Sequence, residues 1–169
     1  MSFQIRYADI NDCKTLGIIH SESWKVAYKG VVPDAILNNM IAEKSEEKFH
    51  DSFMKESGKN AVILNNGMIV GFMCLGKCRD EDLDNTYGEI WGIYLLPSFW
   101  RQGIGTVFID WGIEELKQKG YRKISLWVLE DNMNARRFYE KMGFMHDGTV
   151  KELNIGKPLN EIRYIKIIA

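Results

Sequence analysis

The hydrophobic and polar positions of this chain fall into segments whose period switches between two and about 3.6, the signatures of strands and helices. Phe3-Gln4-Ile5-Arg6-Tyr7 alternates as a half-buried strand does, and Asp9 and Asp12 stand where a helix cap is needed. Leu16, Ile19 and Ser23 then recur at helical spacing as far as Trp24. The segment from Trp24 to Gly30 closes on a glycine, and Pro33-Asp34 opens a second helical pattern through Ile36, Leu37, Met40 and Ile41. A polar stretch from Glu43 to Lys48 and a helical turn around Phe49 and Phe53 follow, and Gly58-Lys59 is expected to break the chain before the strand Ala61-Val62-Ile63-Leu64. Asn65-Asn66-Gly67 then predicts a hairpin, because Asn and Gly tolerate the positive φ angles of a tight turn, with Met68 to Leu75 as the returning strand.

Charged residues from Lys77 to Asp84 form a loop, and Tyr87 to Leu96 reads as the next strand. Beyond Pro97, Ile104, Val107, Phe108, Trp111 and Leu116 fall on one helical face, which Gly120 ends. Ile124 to Leu129 is a strand, and Asp131 and Asn132 can cap a helix bearing Ala135, Phe138, Tyr139 and Met142, which Gly143-Phe144 terminates. A further strand starts near Met145. The last segment, Ile162 to Ile167, alternates as an edge or half-exposed strand, paired with Thr149 to Leu153 across the Gly156-Pro158 turn; such an edge could pair with another subunit into a homodimer. The early strands should be antiparallel and the middle strand-helix-strand unit parallel and right-handed, so the sum is a mixed α+β sheet with helices.

Composition narrows what such a sheet could do. With 169 residues and 46% hydrophobic content the chain can bury one sizeable core, and a single domain over 1–169 is expected. Lys and Arg number 22 against 23 Asp and Glu, so no bulk charge draws it to nucleic acid or anionic lipid. No apolar run approaches the roughly 20 residues that span a bilayer, and the start lacks a basic-then-apolar profile, so no membrane association and a cytoplasmic location are expected. Of the three cysteines, Cys74 and Cys78 share one face of a strand, a poor disulfide geometry, and core thiols are expected. His20, His50 and His146 show no metal-ligand spacing, and no metal is expected.

The richest chemistry lies between Glu89 and Thr106, where a strand meets Arg101-Gln102-Gly103-Ile104-Gly105-Thr106 at the opening of a helix. Such a junction aims unpaired backbone N–H groups and a positive helix dipole at one spot, which suits a phosphate or pyrophosphate. A dinucleotide fingerprint would want a third glycine where Phe108 stands, and a P-loop would want Gly-Lys-Ser/Thr; the sequence has neither.

Two blocks together resemble the GCN5-related N-acetyltransferase (GNAT) superfamily: Asn132, Ala135, Tyr139, Gly143 and Phe144 in the later helix, and Trp100-Arg101-Gln102-Gly103-Ile104-Gly105 in the loop. One departure is visible: Trp100 holds the family's Gln/Arg position. The resemblance runs through the order of elements along the whole chain. It implies a GNAT-like α+β domain with a mixed, mostly antiparallel sheet of about seven strands and helices on both faces. It implies acetyl-CoA as donor, with backbone N–H groups of residues 101 to 106 on the pyrophosphate: Arg101, Gln102, Gly103, Ile104, Gly105 and Thr106. Asn132 and Ala135 would also touch the cofactor, and Ile93, Tyr94 and Leu95, on a strand splayed from its neighbour, would hold pantetheine and thioester. Gly92 makes a bulge in that strand reasonable.

The activity implied is acetyl transfer to a primary amine of a small molecule or peptide, by direct attack in a ternary complex. The alternative is a CoA-binding regulatory module without turnover. Tyr139 matches the family's proton donor, its ordinary pKa of roughly 10 keeping it protonated; a core aromatic is the other reading. Glu89, fourteen positions before Gly103, stands where one branch of the family has its general base. It could equally be a solvated carboxylate at a strand start, with Glu81, Asp82 or Asp84 as base. Asn132 explains itself as a helix cap too. Trp24, Tyr28 and Gly30 in Trp-x-x-x-Tyr-x-Gly-x-x-Pro resemble the segment that walls the acceptor site in small-molecule members, or are packing at a helix corner.

Overall fold

The computed structural model describes residues 2–55 and 59–168. Gly58, expected as a chain break, lies outside the described residues. Strand β1 (Phe3–Tyr7) leads through a short 3-10 turn into helix α1 (Cys13–Ala27), followed by α2 (Asp34–Asn38) and α3 (Ala42–Lys55). Then come β2 (Lys59–Asn65), β3 (Met68–Lys77), β4 (Tyr87–Leu95), α4 (Ile104–Gln118), β5 (Lys123–Leu129), α5 (Met133–Lys141), β6 (Met145–Asn154) and β7 (Pro158–Ile167). The strands form one seven-stranded sheet in the order β1-β2-β3-β4-β5-β7-β6. All its pairs are antiparallel except β4 with β5.

Local chemistry explains most boundaries. Asp9 accepts from the Asn11 N–H at 2.8 Å while Asp12 returns to the Asp9 N–H at 2.8 Å, a reciprocal cap at the entry to α1. The β2–β3 turn is the expected two-residue hairpin, with φ of 51° at Asn66 and 84° at Gly67. The polar stretch from Glu43 to Lys48 and the helical turn around Phe49 and Phe53 are one element, α3. Ser45, Phe49 and Phe53 recur every four residues, so the polar positions between them are the exposed face of a continuous helix.

Helices cover both faces of the sheet, and alternation along β2 shows the division. Ala61 and Ile63 pack with Ile104, Phe108 and Ile109 of α4, while Val62 and Leu64 pack with Leu16 and Ile19 of α1. The terminal strand corrects another expectation. β7 pairs with β6 as predicted, but it also pairs with β5 along Lys123–Leu129, so it is an interior strand. Its Ile162, Arg163 and Tyr164 are buried, and the free edges of the sheet belong to β1 and β6. An edge for subunit pairing is therefore not available at β7. No helix among the described residues is long and apolar enough to cross a membrane.

Candidate active site

The site begins where two strands part. β4 and β5 are paired only from Tyr87–Lys123 through Glu89–Ser125, although both run on for several residues. Opposite the split, the β3–β4 register slips between Cys74 and Leu75, leaving Trp91 as an extra residue in β4. Beside this bulge the Tyr94 ring folds back over Gly92, where a Cβ would come within 2.7 Å of the ring. No larger residue fits there without moving the ring. A cavity of about 700 Å³ fills the split.

One end of the cavity is built from backbone. Arg101 and Gly103 take positive φ angles of 60° and 80°, and Gly103 caps α4 without any side-chain bond to its first turn. The first helical bond returns from the Val107 N–H to the Gly103 carbonyl at 3.2 Å, so the preceding N–H groups have no partner within the helix. α5 starts at the same end, where Asn132 accepts from the Ala135 N–H at 3.3 Å. Two helix N-termini thus face one space, an arrangement suited to a pyrophosphate.

Of the residues expected at a cofactor, Ile93, Tyr94, Leu95, Arg101, Gly103, Gly105, Thr106, Asn132 and Ala135 line this cavity. Gln102 and Ile104 do not. The Gln102 side chain donates to the Ser98 carbonyl at 2.9 Å, and Ile104 is fully buried beneath the loop. Trp100, taken from sequence only as a departure from a motif, lines the cavity, and its indole donates to the Leu95 carbonyl at 2.9 Å. That bond engages the carbonyl of Leu95, at the end of the backbone stretch expected to meet pantetheine.

Tyr139 projects from α5 into the middle of the cavity wall, 8% exposed, packed against Phe138, Phe144 and Tyr164. Its hydroxyl has no hydrogen-bond partner among the described residues. Burial pushes its pKa up, and the neighbouring Tyr28 and Tyr94 push the same way, so it stays protonated. Tyr28 is raised likewise, by burial and Tyr94, with the Asn132 side chain drawing it back. Three phenols therefore converge on the cavity.

Glu89 is placed differently from either reading of the sequence. It is 1% exposed, which excludes a solvated carboxylate, and it does not line the cavity. Arg79 covers it: the Arg79 backbone N–H donates to Oε1 at 2.9 Å and Nη2 to Oε2 at 2.7 Å. The guanidinium itself lies 4.5 Å from the Trp91 ring and faces the cavity. The alternative carboxylates are also absent from the lining. Asp82 is held by both Arg163 terminal nitrogens at 2.8 Å, Asp84 is bonded to Thr86, and Glu81 is on the surface.

The other end of the cavity is built from side chains of distant segments. Trp24 and Tyr28 line it with their rings 4.6 Å apart, and both also pack on Val32, Leu37, Leu129 and Leu159, so wall and helix corner are one structure. Trp91, Trp127, Lys151 and Glu161 complete it. None of these four was legible as a site residue, since each sits singly in an ordinary strand pattern. Behind the wall His20 is ringed by Trp24, Phe49, Phe72 and Tyr94, and burial, with Lys48 adding, lowers its pKa to about 4.

The pattern of the Acetyltransferase (GNAT) family matches residues 24–144, which takes in the aromatic wall, the loop and α5. The chain belongs to this family. Its relatives agree: an uncharacterised N-acetyltransferase of Bacillus subtilis is 31% identical over 76% of this chain and 72% of its own. A spermidine N(1)-acetyltransferase of Thermoplasma acidophilum is 30% identical over 88% of this chain and 92% of its own. Solved structures share the fold. PaiA N-acetyltransferase from Thermoplasma acidophilum, in complex with coenzyme A, superposes with a TM-score of 0.75 at 24% identity, covering 99% of this chain and 100% of that one. A Salmonella typhimurium acetyltransferase with acetyl-CoA gives 0.72 at 17% identity, covering 100% and 95%. In this acetyltransferase the cavity thus lies where the seven-stranded sheet parts between β4 and β5. Among its described residues no cluster of His, Cys, Asp and Glu could hold a metal ion.

Proposed function

We propose that this acetyltransferase moves the acetyl group of acetyl-CoA to a primary amine of a small molecule or peptide, by direct attack in a ternary complex. The observation that carries the reading is the single cavity that joins two helix N-termini, a protonated tyrosine and an aromatic chamber. Acetyl-CoA is the donor. Its pyrophosphate lies on the free N–H groups at the start of α4, and its pantetheine arm runs along the unpaired edge of β4 beyond Glu89. The thioester then ends beside Tyr139, between the two ends of the cavity.

The neutral amine attacks the thioester carbonyl from the aromatic end; the C–N bond forms, the C–S bond breaks, and Tyr139 gives its proton to the departing thiolate. Backbone N–H groups near Ile93 to Leu95 stabilise the negative charge on the carbonyl oxygen. A covalent enzyme intermediate is not needed. Cys74, opposite Gly92 beside the bulge, is pushed up to about 11 by burial and stays a thiol. Glu89, with Arg79 across both its oxygens, serves as the anchor that fixes Arg79 at the cavity wall rather than as a base in contact with the amine.

Titration calorimetry with acetyl-CoA, CoA, NAD and ATP, followed by thiol release across an amine panel headed by spermidine, tests the reading. Binding of acetyl-CoA with thiol release dependent on one class of amine is expected. Tight NAD or ATP binding without CoA binding would sink it, and CoA binding with no release on any amine would leave the regulatory module.

A further inference from the structure

We propose that Glu161 is the carboxylate that receives the acceptor's ammonium group, and that Lys151 occupies its place until the acceptor arrives. The inference rests on the acetyl-transfer reading for its chemistry, but its geometry stands alone. Among the described residues that line the cavity, Glu161 is the one carboxylate, and it lies at the aromatic end. Its side chain is 21% exposed and carries no arginine clamp. Directly across from it on β6, Lys151 places its Nζ 3.6 Å from Glu161 Oε2 and 4.0 Å from the centre of the Trp127 ring.

That arrangement is a primary alkylammonium on a methylene chain, held between a carboxylate and an indole face. An aliphatic amine acceptor presents the same groups. The ion pair is long for a charge-assisted hydrogen bond, and the lysine side chain is 45% exposed, so its head can turn into water at little cost. Arg79 has no such freedom, because buried Glu89 and the Trp91 face hold it. The class of acceptor that fits is therefore a primary aliphatic ammonium ion whose chain lies against indole.

With Lys151 displaced, Glu161 takes one proton from the bound ammonium and passes it to water. The amine nitrogen then forms its bond to the acetyl carbon, the thiolate leaves, and Tyr139 protonates it. The second proton lost from nitrogen reprotonates Tyr139 through solvent, so the sum is amide, thiol and one released proton. The groups whose charge acts on Glu161 are Lys151 from β6, Arg79 before β4, Glu89 and Tyr94 from β4, and Tyr28 after α1. β5 brings only Leu129 opposite and Trp127. Burial raises the Glu161 pKa, Lys151 and Arg79 lower it, and Glu89 raises it, a net rise that favours proton uptake.

The test is calorimetric and needs no turnover: n-butylammonium and n-butanol are titrated into the free enzyme and its CoA complex. The wild type should bind the ammonium and discriminate against the alcohol at least tenfold. Glu161→Gln should lose that discrimination with CoA affinity unchanged. Lys151→Met should bind the ammonium several-fold tighter, and its binding should fail at a higher pH on acidification, since the cation that held Glu161 down is gone. Equal ammonium binding by wild type and Glu161→Gln overturns the receptor role, as does a wild type that binds CoA but no ammonium. Unchanged or weaker binding by Lys151→Met overturns the place-holder. Ammonium binding that obeys these rules without acetyl transfer would instead sink the proposed activity and leave this site standing.

Discussion

The two ends of the cavity are made of different material. At the loop end, the groups on offer are backbone N–H groups at the starts of α4 and α5, supplied by residues close together in sequence. At the aromatic end they are single side chains on α1, β4, β5, β6 and β7, which meet only because the sheet places them together. A backbone site tolerates most side-chain changes so long as its dihedral angles survive. A side-chain site is lost one residue at a time, and it depends on whatever holds its strands and loops in place. The first suits a donor that never varies, the second an acceptor that differs between relatives.

Four experiments would sharpen or break this contrast. The largest effect is expected between the two ends: Tyr139→Phe should lower kcat by about 10²- to 10³-fold, within the range for general acids, with acetyl-CoA affinity nearly intact. Turnover equal to wild type would remove the tyrosine from the reaction.

Next comes the scaffold of the aromatic end. Arg163, 4% exposed, meets Asp147 at 2.6 Å, Asp82 at 2.8 Å and Asp80 at 3.3 Å, pinning the loop that carries Arg79 to β7. Arg163→Met leaves those carboxylates without their cation and should cost about 3 kcal/mol in chemical denaturation, at the low end for a buried pair because Asp82 is exposed. Acceptor affinity should fall while acetyl-CoA affinity stays within a few fold. Equal losses at both ends would show that they are not separately built.

The third effect is a pH dependence. His20 titrates at about 4 in the folded protein, below its ordinary value, so the unfolded chain takes up the proton first as pH falls. The stability it contributes is complete above about pH 6.5 and is lost as pH falls through the folded value, about 3 kcal/mol in all. His20→Gln should flatten the melting temperature between pH 7 and 4.5, and an unchanged slope would assign the acid sensitivity elsewhere.

The smallest effects test the backbone claim. Gly103→Val, at φ 80°, should weaken acetyl-CoA binding by about 1–2 kcal/mol through strain, whereas Gln102→Ala should change it by less than about 0.5 kcal/mol. A larger loss from Gln102→Ala would mean that side chains carry the loop end.

Much of this division follows from what a linear pattern can express. The hairpin at Asn66-Gly67, the caps at Asn132 and Gly143 and the glycine loop were legible because turn and cap chemistry is local. Glu43 to Lys48 was legible only as a polar stretch, not as the start of a helix, because a helix with a narrow apolar stripe looks polar over a short window. β7 was misread as an edge because half-exposed alternation does not reveal that a strand is inserted between β5 and β6. For Glu161 and Lys151 the pairing of their strands was legible, but neither the register that sets the two side chains opposite each other nor the cavity they face was.

By itself, then, the sequence determined the elements, the family and the loop end, because backbone conformation is governed by residues a few positions apart. Only the tertiary structure decided the rest: that Glu89 is buried under Arg79, that Trp100 engages the Leu95 carbonyl, and that Glu161 faces the cavity with Lys151 on it. Those outcomes depend on strand order, register and a bulge at Trp91, and these are settled by the packing of the whole sheet.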